Sequence, residues 1–358
     1  MPITTKNMTR RDALRRGAAG LGLSTGLSTG LVASFATSFA TIAKAQTQIP
    51  NWKTEMRELA PGVFAYIQGG GPGEMNQGVS NGGIIVGPDS ILVIDSLGAP
   101  IQTKNFIAAI KKVAPNKPMS RMLISHHHGD HIMGLPFFPQ PMEIVCHEYC
   151  RKEMLATTFP TPNWEKRANW AEGGEPRYIV PPTTTIDDRA TYYYGNTEVQ
   201  VLTIAPSHTY GDLAVYLPQH KILFASDIGF FYVAPFCHNA APTKWMEHID
   251  QVLGMNVDTI IPGHGPIGGK KNLAEMSEYL AVFKSEARKR YDAGMSPGKA
   301  AAEIKLGRFD AWIGAQDRLV MNTVRYYHEF AGTLKPELDA EGNRLATIEF
   351  SAARGIKN

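Results

Sequence analysis

Met122-Leu123-Ile124-Ser125-His126-His127-His128-Gly129-Asp130-His131 runs from an apolar stretch straight into four side chains able to bind metal. The apolar residues 122–124 read as a buried strand, and the HxHxDH pattern begins where that strand ends. In an extended segment, side chains two apart point the same way, so His126 and His128 can share one metal while His127 points away. Asp130 and His131 then fall at the turn into the next element, aimed at a second position. Imidazoles with a carboxylate are the donor set that suits zinc or a similar first-row metal. The motif therefore predicts two adjacent metals.

The chain has 358 residues, enough for one large domain or two small ones, and 43% of it is hydrophobic. Its formal net charge is +3, yet residues 1–45 alone hold six basic residues against one acidic. The remaining body is therefore mildly acidic, which argues against a nucleic-acid partner. Within that basic start, Thr9-Arg10-Arg11-Asp12-Ala13-Leu14 resembles a twin-arginine export signal. A run rich in small residues follows, and Ala43-Lys44-Ala45 offers a cleavage site. The expectation is a periplasmic protein with no stable membrane anchor after cleavage, since the run is a poor transmembrane span. The three cysteines, Cys146, Cys150 and Cys237, read as small buried hydrophobes, with one disulfide as the alternative.

Strand patterns appear at residues 63–67, 83–86, 91–95 and 144–146, then at 191–194, 199–203, 214–217, 222–224 and 259–261. Helical patterns appear at 105–113, 245–253, 271–290, 297–304 and 317–330. Residues 155–182 read as a long surface insertion beside a substrate cleft. Strands, helix and candidate ligands occur twice in that order, as two similar halves. The expected organisation is a signal at 1–45, a domain at 46–270, a helical extension of it at 271–335 and a loosely ordered tail at 336–358.

Three later strand ends offer further ligands: His208 after 199–203, Asp227 after 222–224, and His264 after 259–261. Each alone is an ordinary loop or cap residue. Their joint order with the first motif resembles the metallo-β-lactamase superfamily over roughly residues 57–270. That resemblance implies an α/β fold, an αββα sandwich of two mixed sheets with outer helices. It implies two zinc ions per chain, although the same donors also accept iron or manganese. By this likeness His126, His128 and His208 hold the first ion, Asp130, His131 and His264 the second, and Asp227 bridges them. Asp95 matches the early aspartate that supports the histidine loop.

The commonest β-lactamase subclass has Cys where Asp227 stands, and flavo-di-iron relatives have Glu where His128 stands. Asp227, the segment 207–218 and the helical C-terminus look most like glyoxalase II-like and quinoprotein-relay zinc hydrolases. The implied reaction is attack on an ester, thioester or lactone carbonyl by a hydroxide shared between the metals, oriented by Asp130. The partner is then a small-molecule substrate; the sequence leaves the oligomeric state open. Two alternatives stand beside this: β-lactam hydrolysis at the same site, and a non-catalytic zinc-binding module of an exported complex. Asp212 reads either as an orienter of His208 or as a turn residue. Phe230, Phe231, Tyr232 and Phe236 read either as a cleft wall or as core. His147 and His238 have no place in the ligand order.

Overall fold

A computed structural model describes residues 48–71, 80–157 and 178–356. The export segment and most of the 155–182 stretch lie outside the described residues. The first sheet opens with four antiparallel strands, β1 (Glu55–Ala60), β2 (Val63–Ile67), β3 (Gly82–Val86) and β4 (Ile91–Ile94). Helix α1 (Pro100–Val113) then crosses over to β5 (Met119–Leu123), which pairs parallel with β4. A short helix α2 (Gly129–Ile132), strand β6 (Glu143–His147), helix α3 (Glu148–Ala156) and strand β7 (Thr184–Ile186) complete this half. Its seven strands lie in sequence order.

The second sheet is built from β8 (Arg189–Tyr194), β9 (Thr197–Thr203), β10 (Leu213–Leu217), β11 (Ile222–Phe230) and β12 (Thr259–His264). It is antiparallel except where helix α4 (Pro242–Gly254) returns the chain to set β12 parallel to β11. Each half of the chain thus makes one mixed sheet. Helices α5 (Lys270–Asp292), α6 (Pro297–Glu303), α7 (Leu319–Phe330) and α8 (Ala340–Ala353) follow.

Strand alternation sorts the side chains into layers. Leu92, Ile94 and Leu123 of the first sheet meet Leu213, Val215, Leu217 and Phe224 of the second in one buried cluster. Their alternates Ile91, Val93 and Met122 face the other way, onto Phe106, Ile107 and Ile110 of α1 and Met154 of α3. Ala214, Tyr216 and Leu223 pack outward against Trp245, Ile249, Tyr279, Phe283 and Tyr326 of α4, α5 and α7. The result is the expected αββα sandwich. The central strands are covered on both faces, which is why β4 and β10 are apolar throughout, whereas the edge strand β8 alternates between exposed and half-buried residues.

The 336–358 segment departs from the loose tail expected, because residues 340–353 form helix α8. Asp339 caps it, accepting from the Gly342 amide at 2.8 Å. Its buried residues are small, Ala346 and Ser351, with only Phe350 adding a large half-buried side chain against the core, whereas Leu345 and Ile348 are exposed. A Cβ on Gly298 of α6 would stand 2.3 Å from the Ala346 carbonyl oxygen. The two helices therefore approach closely at Gly298 and Ala346, and two of the large apolar residues that carry a periodicity reading, Leu345 and Ile348, point outward. Helix α3 also escaped notice, since its nine residues bury only Cys150 and Met154.

Candidate metal centre

All seven predicted ligands come together at one edge of the two sheets. Asp227 lies between two groups, one of His126, His128 and His208 and one of Asp130, His131 and His264. Asp227 Oδ2 is 3.1 Å from His208 Nε2, 3.4 Å from His264 Nε2 and 3.7 Å from His126 Nε2, while Oδ1 is 3.1 Å from His131 Nε2. Asp130 Oδ2 is 3.2 Å from His264 Nε2 and 3.5 Å from His131 Nε2. His128 Nδ1 is 3.1 Å from His126 Nε2 and 2.9 Å from His208 Nε2.

The backbone delivers these groups through strand ends and one irregularity. His126 to His131 follow β5 and enter α2, and His264 closes β12. Asp227 sits inside β11 rather than beyond it: the strand continues to Phe230 past register shifts on either side of Ser226, whose φ is 45°. Such an irregularity re-aims the next side chain, here toward the opposite sheet. The expected strand end at 224 marks the start of this bulge. Asp95 also has a left-handed backbone, with φ of 58°. Non-glycine residues held there concentrate at functional sites.

Second partners fix most of the ring orientations. Asp95 Oδ2 accepts from His131 Nδ1 at 2.8 Å and from the Ser125 hydroxyl at 2.9 Å. The Ser125 oxygen in turn lies 3.0 Å from His126 Nδ1 and accepts its proton, leaving Nε2 for the cluster. His128 is turned the other way, with Nε2 donating to Asn239 Oδ1 at 3.1 Å. Asn81 brackets the β12 end, donating its amide NH2 to the carbonyls of Pro262 (2.9 Å) and Gly265 (2.8 Å). Asn239, Ser125 and Asn81 had no sequence signal, being single polar residues outside any spacing pattern.

The electrostatics match a cation trap. Burial holds His126 and His128 well below the ordinary imidazole pKa, with neighbouring rings adding to the effect, so both are neutral. Burial also opposes charge on His131, but Asp227, Asp130 and Asp95 outweigh it and hold that pKa well above normal. His264 behaves likewise: burial is overcome by Asp227 and Asp130, and its pKa rises to about 9. Burial resists ionisation of Asp227, yet His264, His131, His208 and His126 keep its pKa well below the usual carboxylate range.

The donor set also passes a test of fit. His131 Nε2 and Asp227 Oδ1 are buried, 3.1 Å apart, and neither makes a hydrogen bond. A buried polar atom without a partner is costly, and a shared metal ion would satisfy both. In the first group His126 Nε2 and His128 Nδ1, both on neutral rings, face each other at 3.1 Å, and with Ser125 accepting from His126 Nδ1 and Asn239 from His128 Nε2 no proton lies between them, which a shared ion would relieve.

Other candidates fall into supporting places. His127 is not grouped with the ligands, and burial lowers its pKa to about 3. His147 caps α3, its Nδ1 accepting from the Tyr149 amide at 3.0 Å. His238 stacks on His128 with ring centroids 4.5 Å apart. Asp212 takes the turn role, accepting from the amide (2.8 Å) and hydroxyl (2.7 Å) of Thr209 rather than from His208. Phe230 and Phe231 are core, not cleft wall, and Phe230 stacks on His264 at 4.8 Å. Tyr232 and Phe236 are half-buried. All three cysteines are free and buried.

The sequence model of the metallo-beta-lactamase superfamily matches residues 75–264, which span the whole ligand set. The chain belongs to this superfamily. A linear primary-alkylsulfatase from Pseudomonas sp. is 21% identical over 62% of this chain and 49% of its own length. A metallo-beta-lactamase type 2 from Bacillus sp. is 24% identical over 56% of this chain and 72% of its own. The chain spans about half the length of the alkylsulfatase it matches. Among solved structures, a metallo-beta-lactamase from Pontibacter korlensis superposes with a TM-score of 0.52 at 20% identity, over 64% of this chain and 99% of that one. At that identity the likeness speaks for the fold alone.

Proposed function

We propose that this protein is a metal-dependent hydrolase whose seven-residue cluster holds two divalent ions, zinc in the first instance. The observation that carries this reading is the placement of Asp227 between two ligand groups, with imidazole Nε2 atoms facing its two oxygens from both sides. Two ions held there would supply Lewis acidity and lower the pKa of water to about 7, making a hydroxide nucleophile available at neutral pH. The chain's own residues do the rest. Asp95 and Ser125 set the tautomers of His131 and His126, and the Asp227 and Asp130 carboxylates gather positive charge. Asp130, His264 and His128 are the partly exposed members, the first two with side chains 15% and 12% exposed, so they mark the edge by which a substrate approaches. Asp130 is placed there to orient the attacking oxygen.

The substrate reading is an ester, thioester or lactone carbonyl, with export to the periplasm by the amino-terminal segment. Asp227 in place of Cys weighs against β-lactam hydrolysis as the main activity. The similarity to an alkylsulfatase favours sulfate esters as a second substrate class. The test is a panel of p-nitrophenyl esters, thioesters, lactones, an alkyl sulfate and a chromogenic β-lactam, with and without chelator. Turnover that disappears on chelation and returns with zinc supports the reading. Two bound ions without turnover on any substrate would favour a zinc-binding module instead.

A further inference from the structure

His128 differs from the other four histidine ligands in the nitrogen it presents. His126, His131, His208 and His264 face the cluster with Nε2, whereas His128 faces it with Nδ1. An imidazole has two neutral tautomers, and only the one protonated at Nε2 leaves Nδ1 able to bind a metal. Something must select that form.

We infer that Asn239 is the positioning residue that does so, and that the C-terminal helices hold Asn239 in place; the inference rests on the two-metal reading above. Asn239 Oδ1 lies 3.1 Å from His128 Nε2. Its amide NH2 donates to the Pro336 carbonyl at 2.9 Å. A flipped amide would set oxygen against oxygen at Pro336, so that carbonyl fixes the orientation and leaves Oδ1 to accept from His128 Nε2. His238, stacked on His128 with planes 21° apart, constrains the ring's plane.

Arg325 of α7 ties the two backbone segments together. It is 4% exposed, its Nε donates to the carbonyl of Ala240, the residue after Asn239, at 2.5 Å, and its Nη1 donates to Glu337, the residue after Pro336, at 3.4 Å. Residues 325, 336 and 337 lie outside the region that matches the superfamily model. In this chain a ligand of the first metal is therefore aligned by structure added beyond the family core. A relay thus runs from Arg325 through the backbone to Asn239 and so to His128.

The test uses the mature protein labelled with nitrogen-15 at histidine, stripped of metal, and compares wild type with Asn239→Ala, Asn239→Asp and Asn239→Leu. Long-range proton–nitrogen spectra report which nitrogen of His128 carries the proton. Zinc affinity is measured separately by chelator competition. Wild type should hold His128 as the Nε2–H form. Asn239→Ala should give a tautomer mixture and weaken one of the two zinc positions on the order of 10–100-fold, as loss of such outer partners does. Asn239→Asp keeps an acceptor and should keep the Nε2–H form. Asn239→Leu, of similar shape, gives the same reading as Ala if the shorter variant fails to fold. An unchanged tautomer and unchanged zinc affinity in the Ala or Leu variant would overturn the inference. Wild-type protein that binds no zinc would sink the two-metal reading alone, because the metal-free tautomer comparison still decides whether Asn239 controls His128.

Discussion

His131 Nδ1 donates to Asp95 Oδ2 across 2.8 Å, with both groups buried. The same carboxylate accepts from the Ser125 amide at 2.8 Å and the Ser125 hydroxyl at 2.9 Å. One side chain thus steadies both arms of the histidine motif. Asp95→Asn has only one acceptor oxygen for these three donors, so one of them must face an NH2 group. Zinc affinity at the second position should fall by roughly 10–100-fold, read by chelator competition. Wild-type affinity in this variant would show that Asp95 serves the backbone alone.

Among the described residues, Asp227 is the one carboxylate within 4 Å of four of the histidines. Removing it leaves His126 and His208 with no carboxylate that close, while His131 and His264 keep Asp130. Metal analysis of Asp227→Ala should find at most one ion per chain. Two tightly held ions would take Asp227 out of the bridging position.

Gly263 is pinned by the site itself. A Cβ there would stand 1.8 Å from Asp227 Oδ1 and 2.8 Å from the Ser226 carbonyl carbon. Gly263→Ala should expel metal and destabilise the fold by about 1–3 kcal/mol, the usual range for overpacking. Gly254→Ala is the control, since nothing lies within 4 Å of its added carbon. Metal content equal to wild type in Gly263→Ala would mean that β12 shifts more freely than its packing suggests.

Asp212 gives a pH signature distinct from the metal. Burial raises its pKa from 3.8 to about 6 despite opposing effects from His208 and the Thr209 hydrogen bonds. The folded state therefore favours the protonated acid, and its contribution to stability is present below pH ~4 and lost as pH rises through about 6. On the order of 3 kcal/mol is at stake, as an upper figure. In metal-stripped protein, Asp212→Asn should flatten the fall in stability between pH 4 and 7, measured by denaturant unfolding. A slope identical to wild type would assign that pH dependence to other groups.

The seven candidate ligands were legible because their order follows the ends of apolar strands, Asp227 excepted, which lies within β11. The layers were legible for a similar reason, since runs such as 91–94 and 213–217 leave few alternatives to a covered strand. What stayed hidden depends on contacts between segments distant in sequence. Asn239 matters through His128, 111 positions away, and Asn81 through carbonyls 181 and 184 positions away. Helix α8 stayed hidden because its buried residues, Ala346 and Ser351, are small, and Leu345 and Ile348 face outward, which leaves Phe350 as its one large apolar contact with the core. Asp227 was placed correctly in order but not in geometry, because a bulge centred on Ser226 does not announce itself in composition.

Each sheet is made by one half of the chain, and the ligands are divided between them: four follow β5, while His208, Asp227 and His264 come from the second sheet. Neither half can complete either ligand group alone. An ion bound at the seam is then a rivet between the halves, and its binding energy adds to their cohesion because only the docked state can hold it. A complete ligand group exists only once the halves have docked, so the strand ends that carry the ligands tie the site to the assembled sandwich.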